Sequence, residues 1–216
     1  MQKLDFQISK TSRLFEVGTV DQNTKYHWLC LHGYGQLGQY FIKPFEALDL
    51  PNHYFLAPEG LHRFYLNGTY GRVGASWMTK EERLTDISDN IKYLESVYQQ
   101  FLIDNLAQSK LVVFAFSQGA ATLMRWLERT SAQPKVLFIW AGSFPEDVSY
   151  PNLKEQLKNT HVIYALGDED KYATTENQQK QETLLAKLSE NVTRVSFKGK
   201  HKIYPDVLSR IIFDEF

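Results

Sequence analysis

The sequence predicts an α/β protein with a mostly parallel central sheet, helices on both faces and an antiparallel N-terminal edge. Three observations carry this reading. Short continuous apolar runs, among them residues 111–116 and 161–166, suit strands buried on both faces of a parallel sheet. Segments with apolar residues at helical spacing alternate with those runs, as they do when helices cover such a sheet. The chain has 216 residues, 43% of them hydrophobic, which is enough to bury the core of one domain spanning residues 1–216.

Taken in order, residues 4–9 and 13–17 alternate apolar and polar side chains around a Lys-Thr-Ser interruption, predicting an antiparallel edge hairpin. Residues 27–31 form a buried strand that delivers the turn His32-Gly33-Tyr34-Gly35, and residues 40–48 have helical spacing. Another buried strand follows at 53–58. Residues 61–78 are aromatic-rich and punctuated by glycine, which predicts a long functional loop. Residues 85–101 read as a helix capped by Thr85 or Asp86. Strand 111–116 then runs into an amphipathic helix. Strands at 135–141 and 161–166, separated by loop and a short helix, precede a helix at 178–188, a last strand at 192–197 and a closing helix at 207–213.

Charge and composition exclude several partners. Net charge is -1 with both signs interspersed, so no basic field awaits nucleic acid. The first residues lack the apolar core of a signal peptide, and no stretch reaches the roughly 18 apolar residues of a membrane helix. A cytoplasmic, soluble protein without integral membrane association is expected. Cys30 is the single cysteine and lies inside an apolar run, where a buried structural thiol is expected.

Ligands of open parallel sheets bind beyond the carboxyl ends of the strands. Strand 111–116 ends in Ala115-Phe116-Ser117-Gln118-Gly119. Small residues two before and two after the serine give the clearance that a nucleophile elbow needs; the alternative is an ordinary turn with a helix-capping serine. Other strand ends carry Gly167-Asp168-Glu169-Asp170 and Gly199-Lys200-His201. The order Ser, Asp, His is that of α/β-hydrolases. A serine hydroxyl needs a histidine base, and the histidine a carboxylate to hold its tautomer. Of the six histidines, His201 alone follows a candidate acid at a strand end; His32 is expected to fix its turn by hydrogen bonding. Asp168 and Asp170 share one loop, and either can reach an imidazole. The amide of Gln118 is a natural oxyanion donor, with Tyr34 in the earlier turn as the second. Phe64, Tyr65, Tyr70 and Trp77 are candidates to wall an acyl groove.

Together these motifs resemble the phospholipase/carboxylesterase family of α/β-hydrolases, which includes lysophospholipases and acyl-protein thioesterases. The resemblance runs from about Trp28 to His201 through Leu31-His-Gly-Tyr-Gly35, Ala57-Pro58, Ser76-Trp77, Phe116-Ser-Gln-Gly-Ala-Ala121, Gly167-Asp-Glu-Asp170 and Gly199-Lys-His201. It implies an α/β-hydrolase fold with Ser117 as nucleophile, His201 as base, Asp170 as acid, Tyr34 and Gln118 as oxyanion-hole amides, and Trp77 near the substrate groove. It further implies cleavage of carboxylic esters or thioesters, in small molecules or acylated substrates, with neither metal nor cofactor. The chain departs from the family pattern at Ala115, where glycine is usual, and at Lys171-Tyr172-Ala173, where an apolar-proline ending is usual. Two other readings use the same residues: a non-catalytic ligand- or partner-binding module on this fold, and an amidase or peptidase. Oligomeric state has no signature in the sequence.

Overall fold

The structure, a computed structural model, describes residues 1–215; Phe216, the last residue of the expected domain, lies outside the described residues. The elements in chain order are β1 (Leu14–Val17), β2 (Tyr26–Leu31), α1 (Gly38–Phe41), α2 (Lys43–Glu46), β3 (His53–Pro58), β4 (His62–Tyr65), β5 (Val73–Ser76) and α3 (Arg83–Phe101). They continue as β6 (Lys110–Phe116), α4 (Gln118–Leu127), β7 (Val136–Trp140), α5 (Tyr150–Gln156), β8 (His161–Gly167), α6 (Thr175–Leu188), β9 (Val192–Phe197) and α7 (Pro205–Glu215).

Seven strands form one sheet in the order β1-β3-β2-β6-β7-β8-β9. β1 pairs antiparallel with β3, and every other neighbouring pair is parallel. Strand side chains alternate between two cores, as the two-residue period of a strand requires. Leu111, Val113 and Ala115 of β6 face a core shared with α3, α4, α5 and α6. Val112, Phe114 and Phe116 face the opposite core, built with α1, α2 and α7. Cys30 sits fully buried in that second core, where burial pushes its thiol pKa up, as expected of an inert structural cysteine.

Two expectations are corrected. Residues 4–9 form no strand, and residues 1–11 are all exposed. β1 occupies the sheet edge directly against β3, with Phe15 opposite Ala57, so no hairpin partner is needed. The arm is held by side chains instead: Lys3 pairs with Glu82 at 2.5 Å, Lys10 donates to the Leu61 carbonyl, and Arg13 Nε donates to the buried Glu59 at 2.9 Å. Residues 61–78 contain regular structure, the antiparallel pair β4–β5 with His62 opposite Ser76. Several boundaries also move. Residues 40–48 divide into α1 and α2 with Pro44 in the first turn of α2, where its missing N–H costs nothing. α3 starts at Arg83, and Asp86 in its first turn accepts from the Thr79 amide at 3.2 Å. α6 starts at Thr175 because Thr174 caps it, accepting from the Asn177 amide at 3.3 Å.

Candidate active site

Ser117 stands between β6 and α4 with φ 54° and ψ -119°, a backbone conformation that L residues avoid at a cost of order 1–3 kcal/mol. Buried packing holds it there. Its amide donates to the Trp140 carbonyl of β7 at 3.1 Å. Two residues on, a Cβ added to Gly119 would come within 2.6 Å of the Leu31 carbonyl oxygen, so only glycine lets α4 pass the end of β2. Ala115 is fully buried between Leu31 and Ile139. The serine side chain makes no capping bond to α4. It lies 2.9 Å from His201 Nε2 instead.

His201 Nδ1 is 2.6 Å from Asp170 Oδ2. The Asp170 side chain is 1% exposed and that of His201 19%. The other carboxylate oxygen of Asp170 accepts from the Tyr172 amide at 2.9 Å. Asp168, two residues earlier, points elsewhere: its Oδ1 accepts from the Gly199 amide at 2.9 Å. That bond joins two backbone bonds between the same loops, from the Asp168 amide to the Phe197 carbonyl and from the Glu169 amide to the Gly199 carbonyl. A Cβ on Gly167 would collide with the Gly199 carbonyl oxygen, so the close approach of these loops needs glycine there. The spacing that left Asp168 and Asp170 equivalent in sequence is thus resolved in space into two different hydrogen-bonding partners.

The Gln118 amide directly follows the serine and the Tyr34 amide lies in the turn after β2, and neither donates to a protein acceptor among the described residues. The turn carrying Tyr34 is fixed by His32, which is fully buried. Its Nε2 accepts from the Gly60 amide at 2.9 Å, so Nδ1 carries the proton and donates to the Gly33 carbonyl at 2.8 Å. Burial pushes the His32 pKa down to about 4, against smaller opposing effects of the Gly33 carbonyl and Glu59. The imidazole is therefore neutral at pH 7. The Gln118 side chain clamps the segment after β5, accepting from the Trp77 amide at 3.2 Å and donating to the Met78 carbonyl at 2.9 Å.

The aromatic candidates divide. Trp77 is 0% exposed; its indole N–H donates to the His32 carbonyl at 2.8 Å and its ring stacks on His32 at 4.9 Å. It packs against the glycine turn as a buried side chain. Tyr65 and Tyr70 are exposed on the β4–β5 hairpin and the loop within it. Among the described residues, no hydrogen bond or ring contact ties either to Ser117, Asp170 or His201. Phe64 instead packs against Tyr34, with ring centroids 5.1 Å apart. Two rings that the sequence did not single out touch the imidazole of His201, Phe116 at 4.9 Å and Tyr172 at 4.7 Å between centroids. The signal for Tyr172 was its place two residues after Asp170, where the family pattern is broken. Among the described residues, no group of three or more His, Cys, Asp or Glu side chains is arranged to hold a metal ion, and no helix is long and apolar enough to cross a membrane.

Comparison with known proteins gives a consistent picture. Acyl-protein thioesterase 2 of Zea mays superposes with a TM-score of 0.69 at 19% identity, covering 94% of this chain and 99% of that one. Esterase PE8 gives 0.67 at 20% identity over 96% and 100% of the two chains. A phospholipase/carboxylesterase from Dyadobacter fermentans gives 0.66 at 19% identity over 96% and 99%. At such identities the likeness establishes the shared α/β-hydrolase fold. The sequence pattern of the phospholipase/carboxylesterase family itself matches residues 14–213. The chain belongs to the phospholipase/carboxylesterase family and is a hydrolase of the α/β-hydrolase fold.

Proposed function

We propose that the protein is a serine hydrolase that cleaves carboxylic esters or thioesters through an acyl-enzyme, with Ser117 as nucleophile, His201 as base and Asp170 as acid. The observation that carries the reading is the continuous chain from the Asp170 carboxylate through His201 Nδ1 and Nε2 to Ser117 Oγ, with contacts of 2.6 and 2.9 Å. Ser117 Oγ attacks the acyl carbonyl carbon while His201 Nε2 takes its proton. Asp170 keeps the Nδ1–H tautomer and stabilises the imidazolium. The tetrahedral oxyanion is received by the amides of Tyr34 and Gln118, each of a kind worth about 3 kcal/mol to the transition state.

Collapse of this intermediate breaks the bond to the alcohol or thiol, which leaves with the proton from Nε2. Water, deprotonated by the same nitrogen, then hydrolyses the acyl-serine and restores the enzyme. Gln118 serves twice in this scheme, through its amide toward the oxyanion and through its side chain toward residues 76–78. Substrates in this reading are small-molecule esters or acylated molecules, and none of the steps calls on a cofactor.

The test is turnover of p-nitrophenyl esters from acetyl to palmitoyl by the wild type and by Ser117→Ala, with folding checked by thermal melting. The variant is expected to lose on the order of 10⁶-fold in kcat. No turnover by the wild type, together with no covalent labelling of Ser117 by a phosphonate ester, would replace this reading with a binding module. Turnover of anilides in preference to esters would replace it with an amidase.

A further inference from the structure

We propose that Tyr172 is a positioning residue that holds the His201 imidazole for proton transfer to the leaving group; the inference rests on the serine-hydrolase reading above. Its ring meets that of His201 edge to face, with centroids 4.7 Å apart and planes at 73°. Its own amide donates to Asp170 Oδ1, the oxygen that His201 does not use. One residue therefore touches both the base and the acid. Tyr172 is itself held: its carbonyl accepts from Asn177 Nδ2 at 3.0 Å, and Lys171 Nζ lies 4.9 Å from its ring centroid.

The physical need is clear from the torsions of histidine. Two hydrogen bonds fix Nδ1 and Nε2, but the sp³–sp² torsion that turns the imidazole is broad. The ring can still tilt about the line joining its two partners. Phe116 bears on the imidazole at 4.9 Å with planes at 39°, and Tyr172 bears on it at nearly a right angle. The two contacts together restrict that tilt. Phe116 is buried, whereas Tyr172 remains 58% exposed, so its ring forms part of the accessible border of the imidazole. A leaving alcohol that takes its proton from Nε2 depends on the orientation held there. An aryl leaving group such as p-nitrophenolate departs without a proton, so it depends on that orientation less.

The experiment compares kcat/KM, which reports acylation, for p-nitrophenyl butyrate and ethyl butyrate in the wild type, Tyr172→Phe, Tyr172→Leu, Tyr172→Ala and Ser117→Ala. All of these substitutions at position 172 leave the backbone bond to Asp170 in place. Tyr172→Phe should stay within about 2-fold of wild type on both esters. Tyr172→Ala and Tyr172→Leu should lose about 10-fold on the aryl ester and about 100-fold on the ethyl ester, within the range of general acid–base effects. Their His201 Nδ1–H proton resonance should also broaden. Equal losses on the two esters, no loss on either, or a Phe variant as impaired as the Ala variant would overturn the inference while Ser117→Ala remained dead. Should Tyr172→Ala fail to fold, Tyr172→Leu decides alone. Retained turnover in Ser117→Ala would instead overturn the parent reading and this one with it.

Discussion

The two halves of the site are fixed by different forces. Ser117 and the amides beside it stand on β2, β6 and α4, among side chains such as Leu31, Ala115 and Ala120 that are fully buried. Their positions follow from volume, because Gly119 touches the end of β2 and Trp77 lies beneath the His32 turn. Asp170 and His201 stand on the loops after β8 and β9, next to exposed Lys200 and Tyr172. Their positions follow from directed hydrogen bonds, which is why Asp168 is needed as a tie. Changes of size should damage the first half, and changes of polarity the second.

The largest effect tests the polar half. Asp170→Asn keeps the volume but favours the wrong imidazole tautomer, and kcat should fall by about 10⁴-fold, equivalent to about 5 kcal/mol in the barrier. Steady-state kinetics with an unchanged melting curve would support it. A milder loss than that of Asp168→Asn would exchange the two residues' roles. Next comes the packed half: Gly119→Val places carbon against the Leu31 carbonyl and should cost on the order of 3 kcal/mol or more in stability. Calorimetry should show a Tm lowered by about 10 °C; a Tm within a degree or two would mean that the elbow is not size-limited.

A third test lowers the pH. Burial pushes the His32 pKa down to about 4 from the 6.5 of a free imidazole, and lowers that of His53 to about 4 as well. Between those values the unfolded chain binds more protons than the folded one. Stability is therefore full above about pH 6.5 and declines as pH falls toward 4, by about 3 kcal/mol at most for His32. Chemical denaturation at pH 7, 5.5 and 4.5 reads this directly; His32→Asn should flatten part of the dependence, and an unchanged slope would count against the assignment. The smallest effect is that of Asp168→Asn, whose amide oxygen still accepts from Gly199, so less than a 10-fold change in kcat is expected.

These differences also mark what the sequence reveals. Residues 111–127 were legible because one strand period gives way to one helical period with small residues at the junction, and local pattern and tertiary role coincide there. The strands that carry Asp170 and His201 were legible for the same reason. The choice between Asp168 and Asp170 is a matter of which way two side chains of one loop point, and spacing alone leaves it open. Residues 4–9 alternate like a strand, yet a strand needs a partner, and β1 already fills that edge. β4 and β5 escaped notice because four-residue strands, joined by a loop that carries Gly68 and Gly71, present too few periods to count. In sequence Trp77 reads as one of several loop aromatics, and only the fold shows that its ring is buried with the indole N–H donating to the His32 carbonyl.

The three bonds that join the loops after β8 and β9 make the carriers of Asp170 and His201 one mechanical unit, on two neighbouring strands. Ser117 stands on a different strand end, packed against β2 and bonded to β7. The 2.9 Å contact between His201 and Ser117, beside the Phe116 ring, joins the two. A slight swing of those two loops away from the end of β6 would therefore disengage the proposed machinery as a clutch disengages, with both plates intact and the hydrogen-bonded sheet beneath them whole. Restoring activity would then require only that the plates meet again, with no refolding of either.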